Sequence, residues 1–96
     1  MIYQGTLRLT FRVAYVHSLK EKRAIVKSIK QKVRNVFPVV IVEVEELDRH
    51  NYMVFGLTTI SSGKDVVDNT LQKTVDFILD HFDVELIQEE LYREHF

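Results

Sequence analysis

The chain predicts an α+β fold of order βαββαβ, with a four-stranded antiparallel sheet carrying two helices on one face. Three observations lead there: strict alternation over residues 3 to 15, two stretches with helical apolar spacing, and breaker residues between the periodic runs. In the alternating stretch Tyr3, Gly5, Leu7, Leu9, Phe11, Val13 and Tyr15 fall on one side, and Gln4, Thr6, Arg8, Thr10 and Arg12 on the other. A period of two marks a long strand with one buried face. The first helix opens at Ser18-Leu19-Lys20-Glu21, an S-x-x-E capping box with Ser18 as N-cap. Ile25, Val26, Ile29, Val33 and Val36 then recur as a core-facing stripe. Phe37-Pro38 ends the helix, since proline lacks the amide that another turn needs.

Val39 to Glu46 reads as a second, β-branched strand, and Asp48-Arg49-His50-Asn51 as the turn after it. A third strand runs from Tyr52 to about Ile60. Ser61-Ser62-Gly63 leads into a second helix with Ser62 as expected N-cap, an apolar stripe of Val67, Leu71, Val75, Ile78 and Phe82, and an opposite acidic face of Asp65, Asp68, Asp76 and Asp80. Val84 to about Tyr92 completes the set as a fourth strand. Right-handed crossovers in the two split βαβ halves turn this order into the ferredoxin-like sandwich. One sheet face is then left without a cover. Strand three presents either Phe55 and Leu57 or Val54 and Ile60 to it, and strand two offers Val39 and Ile41 if Val40, Val42 and Val44 face the helices. A contiguous uncovered apolar patch marks a partner, and a second copy in a homodimer is the simplest one.

At 96 residues and 46% hydrophobic content the expectation is one domain, residues 1–96, with a single core. The absence of Cys excludes a disulfide framework and thiol chemistry. With no signal peptide and no apolar run of about 18 residues, a cytoplasmic protein without a membrane partner is expected.

The net charge of −1 hides a sorting by position. Residues 1 to 38 hold nine Lys/Arg and one acid, a balance of +8, whereas residues 39 to 96 hold four and thirteen, a balance of −9. Seven of the thirteen basic residues lie between Lys20 and Arg34, where Glu21 is the only acid. Lys20, Arg23, Lys27, Lys30 and Arg34 are spaced by 3, 4, 3 and 4 residues. At about 100° per residue they fill an arc of roughly 80° over about four turns, on one shoulder of the buried stripe. Such a cationic row suits nucleic-acid phosphates. Lys20, Lys22 and Arg23 also crowd the first turns, where the helix dipole disfavours cations. With the free amides beyond Ser18, they suggest a phosphate- or carboxylate-binding site made of Ser18, Lys20, Lys22 and Arg23.

No catalytic motif stands beside these features. Ser62-Gly63-Lys64-Asp65 lacks the earlier glycine and the following Ser/Thr of a P-loop. The topology brings His17, His50 and His81, with Asp48 and Asp83, toward one end of the sheet, but no close ligand pair such as His at i and i+4 exists, so no metal or other cofactor is expected. Glu43 and Glu45 alternate onto one strand face, where they are expected to balance Arg8 and Arg12 rather than to work as an acid/base pair.

Ser18-Leu19-Lys20-Glu21-Lys22-Arg23, followed by Ile25-Val26-Lys27, resembles the signature of the YlxP-like bacterial proteins of unknown function. The resemblance runs nearly end to end, through Val42-Glu43-Val44 and Phe55-Gly56, and it implies the ferredoxin-like fold. It also implies an RNA-related role, because genes of the family often lie among those of translation and ribosome maturation. Many members carry a Trp after strand two, where this chain has Leu47-Asp48-Arg49-His50. The resulting expectation is a non-enzymatic RNA-binding or ribosome-associated accessory protein. The competing one is a homo-oligomeric interaction module whose basic and acidic faces complement each other.

Overall fold

The computed structural model describes residues 1–96. Its elements are β1 (Tyr3–Arg12), α1 (Leu19–Val36), β2 (Val40–Glu45), β3 (Tyr52–Ser61), α2 (Lys64–His81) and β4 (Glu85–His95). All strand pairs are antiparallel, in the order β2-β3-β1-β4, which is the ferredoxin-like arrangement. Both helices lie on one side of the sheet, and the core fills the space between. Leu7, Leu9 and Phe11 of β1, Ile41 of β2, and Met53, Phe55 and Leu57 of β3 meet Val26, Ile29 and Val33 of α1 and Val67, Leu71, Val75 and Ile78 of α2. Phe11 and Phe55 pack edge to face at the centre, 6.2 Å between rings.

That packing fixes which side of each strand is open. Phe55 and Leu57 are buried under the helices, so Ile60 of β3 points to the uncovered face together with Val40, Val42 and Val44 of β2. The reverse setting of β2, with those three valines toward the helices, is therefore excluded; Ile41 fills that space instead.

Several element ends differ from the sequence reading. β1 stops at Arg12, three residues before Tyr15, because the chain turns at Ala14 and Tyr15, which leaves both exposed beside Asp83 and Glu85 while Val13 and Val16 still reach the core. Val36 is exposed, since the inward stripe has rotated off the core by the last turn. The N-cap of α2 is Gly63, not Ser62: its backbone is extended and no side chain caps the helix. β4 continues past Tyr92 to His95, held by pairing with β1 as far as Tyr3.

Two positions set how closely the layers meet. A Cβ on Gly5 would lie 2.6 Å from both Leu71 Cδ1 and Val67 Cγ1, so the missing side chain is what lets α2 settle onto β1. In β2 the pairing jumps from Glu43 opposite Phe55 to Glu45 opposite Val54, leaving Val44 as the extra residue of a β-bulge. A second jump, from Thr10 opposite Gln88 to Phe11 opposite Leu86, makes Ile87 the extra residue in β4.

Candidate functional site

The five cations of the predicted row lie on α1, with Lys20, Arg23, Lys27 and Arg34 exposed and Lys30 half-buried. None of them forms an ion pair with a carboxylate. Arg34 Nη2 donates to the Ile41 carbonyl at 2.9 Å, which places the end of the row beside the free edge of β2. Lys27, Lys30, Gln31, Arg34 and Asn35 line a shallow groove with no apolar side chain in it.

At the start of α1 Ser18 caps the helix as expected, while the Glu21 carboxylate reaches one residue further back than the cap itself. Glu21 N donates to Ser18 Oγ at 3.1 Å, and His17 N donates to Glu21 Oε2 at 3.1 Å. Leu19 and Lys20 retain amides without a partner in the chain, next to the exposed Lys20 and Arg23 side chains. Glu21 puts a carboxylate at the same place, which opposes a second anion there.

Lys22 does not belong to that rim. It is 0% exposed, and its ammonium donates to the carbonyls of Glu46 at 2.6 Å and Arg49 at 2.7 Å. Its Nζ also stands 2.9 Å from Glu43 Oε2, a contact that is close enough for an ion pair but off the hydrogen-bonding direction. The expectation that Lys22 offers its charge to a bound anion is corrected by this burial: the cation is consumed inside the protein. Its job is to tie α1 to the β2–β3 turn, where Glu46 takes a left-handed backbone (φ 59°) and Arg49 N closes back on Glu46 O at 3.1 Å. A non-glycine residue in that region is uncommon and needs such support. The turn also holds the Arg49 guanidinium 4.3 Å from the centre of the Tyr52 ring and 3.2 Å from Glu46.

The spacing of α1 carried a signal for this that apolar counting misses. Lys22, Val26, Ile29 and Val33 follow 4, 3 and 4 residues apart and are the buried residues of the helix. Glu43 sits two residues after the buried Ile41, on the same side of β2. An inward lysine and an inward glutamate on facing elements are a pair waiting to be read.

Glu43 and Glu45 do not share a face. The bulge at Val44 turns Glu43 in toward Lys22 and Glu45 out toward Arg8. On the open face Arg8 bridges Glu45 and Glu90, the latter at 2.9 Å, and these hydrogen bonds, Glu45 first, raise the pKa of its guanidinium. Arg12 pairs with Glu85 at 3.0 Å rather than with β2. Tyr92 donates to Glu90 at 2.7 Å; that bond and then Arg8 hold the Glu90 carboxyl below its usual range, and the Tyr92 phenol is raised in return.

His17, His50 and His81 are not gathered with Asp48 and Asp83 into a group able to hold a metal. His81 stacks on Phe77 with ring centres 4.0 Å apart, its Nδ1 2.9 Å from the Phe77 carbonyl. No helix is long and apolar enough to cross a membrane.

A lysine-pinned turn, a one-sided cationic helix and a ferredoxin-like sheet mark a small α+β protein. The chain belongs to the family described as "Protein of unknown function (DUF503)", whose family model matches residues 5–91. It is 39% identical over 61 residues to the uncharacterized protein YlxP of Bacillus subtilis (strain 168), a match spanning 64% of this chain and 66% of that protein. Among solved structures it is similar to the de novo designed protein Foldit4, with a TM-score of 0.49 and 13% identity over 96% of this chain and 97% of that one.

Proposed function

We propose that the protein is a non-enzymatic, cytoplasmic RNA-binding or ribosome-associated accessory protein that engages phosphates along α1. One observation carries this reading. Every arginine outside α1, namely Arg8, Arg12, Arg49 and Arg93, is paired with a carboxylate of its own chain within 3.2 Å, whereas Arg23, Arg34 and the lysines beside them on the exposed side of α1 are not. Lys64 and Lys73 of α2 are unpaired as well, but only on α1 do the uncompensated cations form a row at the spacing of a helical face, which is what a polyanion requires. The open sheet face argues against base readout: Thr6, Arg8, Thr10 and Gln4 stand on β1 where stacking aromatics would be needed, and the two tyrosines of that face are engaged within the chain, Tyr52 under Arg49 and Tyr92 by its bond to Glu90. Recognition is therefore of phosphate and shape. In the test, Lys27→Glu/Lys30→Glu is titrated against a labelled RNA hairpin at low salt, with circular dichroism as the folding control. Loss of binding by the folded variant supports the reading; wild-type affinity in the variant removes it.

A second reading, a homo-oligomeric interaction module, is favoured by exposed acids on α2. Asp65, Asp76 and Asp80 have no cationic partner, so the basic row of one copy has an acidic helix to meet on another.

A further inference from the structure

We infer that the uncovered face of the sheet is the contact of an isologous dimer, with the valine column of β2 packed on its own copy. This goes beyond both readings, since it places self-association on a different surface from the charged helices and leaves the row on α1 free. Val40, Val42, Val44 and Ile60 are 62%, 45%, 42% and 64% exposed, and all four lie on the β2–β3 half of one face. Gly56 sits beneath Val44, whose Cγ1 would be 3.1 Å from a Cβ there, so the bulged valine is seated firmly and projects into the patch.

Charge rules out a nucleic acid as the cover of this face. Its two arginines are both satisfied internally, Arg8 by Glu45 and Glu90, and Arg12 by Glu85. A nucleic acid finds no free cation on it. A second copy meets no unpaired arginine either, and a twofold axis lying in the interface across the strands puts valine on valine. Size is consistent with that occupant. Four strands about 4.8 Å apart, β2 of six residues and the others of ten or eleven, rising about 3.3 Å per residue, make a face of about 600 Å2. Two such faces bury about 1,200 Å2, the lower end for a specific interface, where weak and reversible association is found. Both helical layers stay outermost, and each copy keeps its basic row free.

Sedimentation equilibrium of the full chain at about 100 μM, high enough to populate a weak dimer, tests the assignment. The wild type is expected to run as a dimer, and Val42→Glu and Ile60→Lys, both at exposed positions, as monomers with unchanged circular dichroism. Lys27→Glu/Lys30→Glu is expected to remain a dimer, because the row lies outside the contact. A monomeric wild type overturns the proposal. So does a dimer that survives both face substitutions, and so does one that is lost only in the lysine double variant, which would place the contact between helices.

Discussion

Lys22 shows how far one side chain can depart from what its type suggests. In sequence it is one more cation in a basic run; in the fold it is a buried clamp whose ammonium holds two carbonyls and faces Glu43. Lys22→Met keeps the apolar stem but strands the Glu43 carboxylate, and removing one partner of a buried pair costs about 3 to 5 kcal/mol. Urea unfolding should show that loss, and Lys22→Met/Glu43→Leu should recover part of it. The remainder comes from the Glu46 and Arg49 carbonyls, about 1 to 3 kcal/mol for each group left unpaired. Equal destabilisation in the single and double variants would mean that the ion pair itself contributes nothing. A second residue-scale prediction concerns Glu90, whose pKa is lowered by Tyr92 first and Arg8 second. A carboxyl with a depressed folded-state pKa stabilises above its unfolded value, about 4.3, and that stability is lost as pH falls through the folded value. Glu90→Gln should therefore flatten the acid limb of the stability curve below about pH 4 and leave the neutral region little steeper or shallower than before.

Helices and strands were legible from period and punctuation, because alternation in β1 and the Ser18 cap of α1 are local consequences of local residues. What local patterns did not carry was register. A bulge adds a residue without any compositional mark, so the alternation Glu43-Val44-Glu45 reads as two glutamates on one face, whereas Val44 sends them to opposite ones. The N-cap of α2 moved to Gly63 for a similar reason: serine is the better cap by propensity, but the chain direction leaving β3 decides which residue is extended. Gly5 falls on the inward side of the alternation, yet its contact with α2 needs the third dimension. Gly5→Ala should destabilise by about 1 to 3 kcal/mol through overpacking, since the β-branched Val67 cannot swing aside as Leu71 can. Thermal melting measures it, and Leu71→Ala in the same chain should lessen the penalty. On α1, Ser18→Ala removes the cap for Glu21 N and should cost about 1 kcal/mol.

Across the whole molecule the sorted charge takes a clear spatial form. The cationic row occupies one shoulder of α1, the exposed aspartates lie along α2, and the sheet neutralises its own arginines. The five-residue row was readable from helical spacing alone. The four-residue anion site was readable only in part, because burial, which removes Lys22 from it, depends on Glu43 and the β2–β3 turn. Binding of RNA phosphates by the row on α1 is the proposal to which the sorted charge leads. Its most direct measurement is the salt dependence of affinity for a short RNA duplex, followed by fluorescence anisotropy with wild type and with single alanine variants of Lys20, Arg23, Lys27, Lys30 and Arg34. Five phosphate contacts predict a slope of log K against log salt of about −4 to −5, reduced by about one in each variant. No binding at low salt, or a slope that the five substitutions leave unchanged, would contradict the proposal.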